Sequence, residues 1–201
     1  MGFFDTMELK TGKMALYVTI AVSIGGMVEI LPLFFMKGSI PPVAGVKPYS
    51  PLRLEGRDIY VREGCYLCHS QQIRPFRAET ERYGHYSLAG ESVYDHPFQW
   101  GSERQGPDLS REGGKYPDSW QFQHLSHPRS IVPESIMPSY AWMRNRPLYY
   151  GDIQTKMRVL RFLGTPYTDA QIAAAPAELK GKTEMQALVA YLQGLGTDIK
   201  R

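Results

Sequence analysis

The run Cys65-Tyr66-Leu67-Cys68-His69 combines two thiols and an imidazole at a spacing that suits one particular chemistry. Two thiols three positions apart on one helical turn can reach the two vinyl groups on one edge of a haem. The next residue then directs an imidazole toward the iron. This is the pattern of a c-type haem attachment site. We therefore predict one haem, covalently bound to Cys65 and Cys68, with His69 as an axial iron ligand.

A thioredoxin-like redox pair and half of a zinc site are the alternative interpretations of two closely spaced cysteines. A redox pair normally lies within a βαβ pattern, and the sequence contains no such pattern. A structural zinc ion requires a second ligand pair at matching spacing, whereas this chain has 2 cysteines in all. The same count excludes a disulfide framework. These arguments favour haem.

An electron carrier benefits from an iron with both axial positions filled, and a methionine ligand raises its reduction potential. Of the 9 methionines, Met157 and Met185 lie on apolar helix faces and are expected in the core. Met137 differs, because flanking prolines keep its segment extended and the long separation from His69 lets the chain reach the opposite haem face. We predict Met137 as the sixth ligand.

Two histidines, His124 and His127, are the alternative sixth ligands and would give a bis-histidine iron. A haem-based sensor or a peroxidase-like enzyme is a different alternative, since it would need an iron that opens to ligand. A purely structural assembly factor is a third class, in which the haem would be dispensable. A spectrum showing methionine bound to the iron distinguishes the electron carrier from the open-iron class.

The haem neighbourhood is predicted from two further features. A proximal histidine is usually held through its other ring nitrogen, and the fixed carbonyl of Pro107 is a suitable acceptor, although an ordinary type I turn would also explain this motif. Haem propionates are anionic and pair with arginines. Among the arginines of the surrounding loops, Arg74 and Arg104 are the predicted partners.

Residues 14–36 form an apolar stretch with one charged residue, Glu29, and are a candidate membrane span. At 1.5 Å per residue the stretch is ~34 Å long, against a hydrocarbon core of about 30 Å. A cleaved signal peptide is less favoured, because the run exceeds a typical hydrophobic region. Flanking lysines and arginines do not decide the orientation. Haem is attached outside the cytoplasm, however, so we predict a cytoplasmic N-terminus.

The chain is predicted to be mainly α-helical, with a transmembrane anchor (1–37), a proline-rich linker (38–53) and a haem domain (54–201). The net charge of +3, without a basic run, argues against nucleic-acid binding. Helical patterns, with Thr168 as the cap of one more short helix, occupy residues 54–65, 120–125, 152–163 and 184–193. Residues 70–119 are predicted to be ordered loop.

Three long runs, at 68–91, 94–116 and 124–143, closely resemble the mono-haem subunit (subunit II) of cbb3-type cytochrome c oxidases. The resemblance covers nearly the whole chain, including the anchor. It implies a class I cytochrome c-like domain with long loop insertions. The positions that match the family's haem ligands are Cys65, Cys68, His69 and Met137.

The resemblance also implies a function and partners. The chain would be a non-catalytic electron-transfer subunit of an O2-reducing, proton-translocating haem–copper oxidase in a bacterial inner membrane, with a periplasmic haem domain. Electrons would come from a dihaem cytochrome c subunit or a soluble donor and leave for the low-spin b haem of the catalytic subunit. A calcium ion shared at the subunit interface would involve Ser102. The small haem c subunit of a nitric oxide reductase is the alternative.

Overall fold

The computed structural model describes residues 9–35, 40–101 and 103–199. It divides into two compact units, Met1–Pro41 and Pro42–Arg201. The described residues contain no β-strand, and the mainly helical fold predicted from the sequence is confirmed. The α-helices are α1 (Thr11–Phe35), α2 (Pro51–Arg62), α3 (Arg77–Tyr83), α4 (Asp118–Ser126), α5 (Ile153–Phe162), α6 (Asp169–Leu179) and α7 (Glu184–Gly194).

The first unit is dominated by α1, which covers the predicted membrane span as far as Phe35, and Met36 lies outside the described residues. The helix is long and apolar enough to cross a membrane over Thr11–Leu33. Its apolar side chains are exposed, as expected of a helix whose surroundings are lipid or another chain. A Cβ at Gly25 or Gly26 would meet nothing within 4 Å, so this face is open to a neighbouring helix.

Helix α2 leads into the cysteine motif and begins earlier than predicted. The side chain of Ser50 accepts a hydrogen bond from the backbone of Arg53, and Pro51 occupies the first turn, where its missing N–H costs nothing. The prolines of this segment therefore do not all belong to the linker, since the last one starts a helix. The helix ends at Arg62, before Cys65, rather than running into it.

Helices α2 and α7 cross at very short range because both carry a glycine at the contact. A Cβ on Gly56 would overlap the backbone of Ala187, and one on Gly194 would overlap the guanidinium of Arg53. That guanidinium donates to the carbonyl oxygen of Gly194 at 2.8 Å. Gly194 is therefore the last helical residue instead of the predicted stop, and the left-handed glycine that follows the helix is Gly196, with φ of 76°.

Three sequence expectations about the C-terminal helices were tested by the structure. Thr168 and Thr183 each begin a helix with a capping box, as predicted. Asp152 occupies the N-cap position of α5 without a capping side-chain hydrogen bond. Its carboxylate instead lies 3.3 Å from the ammonium group of Lys156, which explains the loss of the cap.

The core of the second unit is built mainly from α2, α5, α6 and α7. Met157 and Met185 are fully buried, so their predicted role as core residues is confirmed, and Met143 is equally buried. Other large side chains of the core are Leu54, Ile59, Tyr60, Leu125, Ile153, Ile172, Leu179, Leu188 and Tyr191. This core fixes the end of α2, from which the cysteine motif follows.

Residues 70–119 are mostly irregular, as predicted, but they also contain helix α3, which the sequence pattern did not reveal. A buried ion pair organises the following loop. Arg57 on α2 donates to Asp95 at 2.6 Å and to the carbonyl oxygen of Pro97 at 2.6 Å. The hydroxyl of Tyr49 also donates to Asp95. This segment is thus held by buried polar contacts and not by an apolar face, so its sequence lacks the periodicity on which a helix prediction depends.

Candidate functional site

The two cysteines lie on a single tight turn directly after α2. Gly64, with φ of 70°, ends the helical path, and Cys65–Leu67 form one turn of 3₁₀-helix. The backbone N–H groups of Cys68 and His69 both donate to the carbonyl oxygen of Cys65, at 3.1 and 3.0 Å. The three side chains of the motif therefore project from one closed turn, and neither cysteine forms a disulfide.

The environment of Cys65 does not suit thiol redox chemistry. Burial and, to a smaller extent, the neighbouring Glu63 carboxylate raise the pKa of its thiol to about 12. Reactive cysteines have a lowered pKa in electropositive surroundings, so the structure disfavours a thioredoxin-like pair. Among the residues that the structure describes, no group of three or more His, Cys, Asp and Glu side chains could hold a metal ion.

The imidazole of His69 is held from one side by residues 106 and 107. Its Nδ1 lies 2.8 Å from the carbonyl oxygen of Pro107, and because a carbonyl only accepts, Nδ1 carries the proton. A Cβ at Gly106 would overlap the ring, so only glycine lets the loop pack against it. The opposite nitrogen, Nε2, keeps its lone pair for an iron ion.

The segment that carries Met137 is joined to α4. Ser139 donates through its hydroxyl to the carbonyl oxygen of Ser126 at 2.5 Å, and the N–H of Tyr140 donates to Leu125 at 2.8 Å. Met137 itself is half-buried and packs against the hydrophobic core, unlike the fully buried Met143. The structure thus leaves Met137 partly accessible at the margin of the core.

The neighbours of Met137 lie near the cysteine turn. The pKa of the Tyr140 hydroxyl is raised mainly by burial and then by electrostatic interaction with Cys65, Glu63 and Cys68, so these groups lie within electrostatic range of one another. Cys65 and Met137 also pack against the same core cluster. Tyr140, three positions after Met137, is thus in electrostatic range of the predicted haem attachment site, and the assignment of Met137 as an iron ligand remains a prediction.

The alternative ligand His124 lies on α4. Its ring stacks on that of Trp120 with centroids 4.7 Å apart, and its buried Nδ1 has no hydrogen-bond partner in the described part of the chain. Burial lowers its pKa, and the proximity of His69 lowers it further. A histidine with a buried nitrogen that lacks a hydrogen-bond partner, within electrostatic range of His69, keeps His124 as the rival to Met137. His127 is exposed.

The two arginines predicted to pair with propionates both bind Glu79 of α3. Arg74 contacts the Glu79 carboxylate through its guanidinium and its backbone N–H. Arg104 donates to the same carboxylate at 2.8 Å. This contact with Arg104 is the largest cause of a pKa of about 2 for Glu79, which is normally near 4.5. Contact of either arginine with a propionate remains a prediction.

Sequence reasoning missed Glu79 and Asp108 and gave only a weak account of the loop that follows His69. The Asp108 carboxylate accepts hydrogen bonds from the Ser70 hydroxyl at 2.5 Å and the Gln72 N–H at 2.8 Å. The turn motif around Pro107 was the available signal. The sequence carried no signal for the contacts of Glu79, because Arg74 and Glu79 are not three or four positions apart, as paired residues on a helix are. Ser102, the predicted calcium contact, lies outside the described residues.

The donor set fits a covalently bound haem. The site offers two cysteines without a disulfide and an imidazole whose Nε2 is free to bind iron. It also has a glycine that lets the loop pack against this imidazole, and a half-buried methionine. Leu67 and Ile136, each next to one of these residues, are 61% and 74% exposed. A bound haem, which is a large apolar macrocycle, would cover these two exposed side chains.

An apolar helix long enough to cross a bilayer, followed by an α-helical domain with this turn, defines the class of anchored haem-binding subunits. Residues 4–183 match the family described as "Cytochrome C oxidase, mono-heme subunit/FixO". The chain belongs to this family, which confirms the resemblance noted in the sequence, and it is therefore a one-haem subunit of a cytochrome c oxidase complex. A comparison with curated proteins gave no match.

Proposed function

We propose that this chain relays single electrons within a cbb3-type haem–copper oxidase through one c-type haem bonded to Cys65 and Cys68. The observation that carries the proposal is the hydrogen bond from Nδ1 of His69 to Pro107, because it fixes the tautomer in which Nε2 binds iron. When bound, the haem supplies reversible one-electron chemistry. The oxidase family match favours this function over the nitric oxide reductase alternative.

Each residue of the site has a distinct role in this proposal. Cys65 and Cys68 would hold the macrocycle by thioether bonds, so that the haem stays fixed relative to the partner subunits. His69 and Met137 would both bind the iron, and an iron held by two protein ligands would supply electron transfer and would not be open to dioxygen. Arg74 and Arg104 are the proposed neighbours of the propionates.

The anchor and the compartment of haem attachment define the proposed surroundings. The N-terminus would be cytoplasmic, α1 would cross the bacterial inner membrane once, and the haem domain would be periplasmic. Electrons would enter from a dihaem cytochrome c subunit or a soluble donor and leave to the low-spin b haem of the catalytic subunit. Glu29 in α1 would face a partner helix, and Ser102 would contribute to a shared calcium site.

Two experiments test the proposal. The first is purification of the native complex from the membrane. A large copper-containing haem subunit that copurifies with this chain supports the oxidase, whereas a large subunit with non-haem iron supports the nitric oxide reductase.

The second experiment tests the sixth ligand. The oxidised protein should show a methionine–iron charge-transfer band, and the reduced protein should not bind CO. Met137→Ala should abolish the band, whereas Met143→Ala, at a fully buried core position, should keep it. If the band is absent in the parent chain and His124→Ala changes the axial spectrum instead, the iron is bound by two histidines and the Met137 assignment is wrong.

A further inference from the structure

The loop that holds His69 is fastened to the chain just after the haem motif at its first residue, Arg104. The Arg104 guanidinium donates to the Ser70 hydroxyl at 2.7 Å and to the carbonyl oxygen of Gln72 at 2.6 Å. Both acceptors lie within three positions of His69. Arg104 therefore ties the start of the loop to the backbone that leaves the motif.

The same loop is fastened at its other end by Asp108, whose side chain is fully buried. The Asp108 carboxylate accepts from the Ser70 hydroxyl and from the backbone of Gln72, and its second oxygen accepts from the Ser110 N–H at 2.8 Å. Ser70 thus joins both ends, since it accepts from Arg104 and donates to Asp108. Pro107 lies between these two fixed points.

Glu79 fixes the Arg104 side chain from the outer side. Its carboxylate is nearly buried and accepts from Arg104 at 2.8 Å, and it also binds Arg74. The Asp108 carboxylate also lies near the Arg104 guanidinium, at 3.6 Å. Hydrogen bonds between charged groups are short and strong, so Glu79 makes the Arg104 orientation rigid.

We propose that Glu79 and Arg104 are positioning residues that hold the Pro107 carbonyl on Nδ1 of His69 and thereby set the reduction potential of the haem. The inference rests on the proposed haem site. A hydrogen bond at Nδ1 increases the basicity of the imidazole, and a more basic ligand stabilises the oxidised iron. Loosening the loop therefore weakens this bond and favours the reduced iron.

The test is an equilibrium redox titration of the purified full chain. Glu79→Gln keeps the shape but removes the charge, and it should raise the reduced-to-oxidised ratio at fixed ambient potential by threefold to tenfold. For a one-electron couple, tenfold corresponds to about 59 mV. Arg104→Ala should raise the ratio at least as much. The matched control is Glu81→Gln on the same helix, whose exposed carboxylate pairs with Arg77 and should leave the ratio unchanged.

The double variant Glu79→Gln/Arg104→Ala tests whether the two residues act on the potential together or independently. If Glu79 acts through Arg104, the double variant should shift the ratio no further than Arg104→Ala alone. If Arg104→Ala yields no folded haem protein, Glu79→Gln decides the question by itself. Ratios for Glu79→Gln within twofold of the parent, with haem bound and the axial spectrum intact, would overturn the inference. A parent chain without covalent haem would instead refute the proposed function.

Discussion

The close crossing of α2 and α7 supports the cysteine turn, and Gly56→Ala tests it. The added Cβ would overlap the carbonyl oxygen of Ala187 and would lie 2.6 Å from its carbonyl carbon and 2.8 Å from Cβ of Tyr191. Non-bonded carbon atoms prefer separations of about 3.5–4.0 Å. The helices must therefore move apart by roughly 1 Å along much of their contact, because the obstacle is backbone and cannot rotate away.

The expected magnitude follows from two opposing effects. Overpacking a core costs about 1–3 kcal/mol, and contact with backbone places Gly56→Ala at or above the upper end of that range. Replacing a mid-helix glycine with alanine returns about 1 kcal/mol of helix propensity. The free energy of unfolding should therefore fall by about 2 kcal/mol, which lowers Tm by about 4–8 °C for a domain of this size.

Thermal unfolding of the detergent-solubilised chain, followed by near-ultraviolet circular dichroism, measures this change. Ala173→Gly, at an exposed position of α6, calibrates propensity alone and should cost about 1 kcal/mol. Both variants should have a lower Tm than the parent, although one replaces glycine with alanine and the other replaces alanine with glycine. A Gly56→Ala protein with an unchanged or higher Tm would refute the close crossing.

Three further predictions concern charges and the histidine cradle. The pKa of Glu79 is lower in the folded chain than in the unfolded one, so its ionisation stabilises the fold above about pH 4.5. This stabilisation should disappear as the pH falls from 4.5 to 2, which urea titrations at each pH would measure. The free energy of unfolding of Glu79→Gln should lack this dependence on pH. Lys156→Met should cost about 3 kcal/mol in the same assay, because it leaves the buried Glu55 carboxylate without its cation. Gly106→Ala should displace the His69 ring and raise the reduction potential by up to roughly 40 mV, the value reached when the whole of a hydrogen bond worth about 1 kcal/mol stabilises the oxidised state alone.

Each of these predictions has a matched control in the chain. Glu81→Gln should leave the acid sensitivity intact, and equal acid sensitivity of the parent and Glu79→Gln would contradict the first prediction. Lys180→Met, at an exposed position, should change stability little; an equal loss at both lysines would argue against the buried pair. Pro107→Ala keeps the accepting carbonyl and should shift the potential less than Gly106→Ala does.

The sequence predicted those parts of the protein that local chemistry determines. The cysteine turn, the apolar anchor and the two threonine-capped helices follow from residue types at fixed short spacings, which a single sequence displays directly. The buried positions of Met157 and Met185 follow from helical periodicity. The hydrogen bond between His69 and Pro107 joins distant positions, but the chemistry of a proximal histidine made a fixed carbonyl the expected acceptor.

The sequence did not predict features that depend on contacts between distant segments. Helix α3 has no apolar periodicity, and its place in the structure depends on the pairing of Glu79 with Arg104. The buried pair of Arg57 and Asp95 joins α2 to a loop that carries no pattern of its own. Gly194 was misassigned because a glycine that ends a helix and one that admits a neighbouring side chain look the same in a sequence.

Acid–acetone extraction of the purified chain, compared with that of Cys65→Ala/Cys68→Ala, tests the central claim most directly. Thioether bonds survive this treatment, so the red pigment should stay with the parent polypeptide and be absent or released from the double variant. A colourless parent chain, or one that loses its pigment to the solvent, would contradict covalent attachment at this turn.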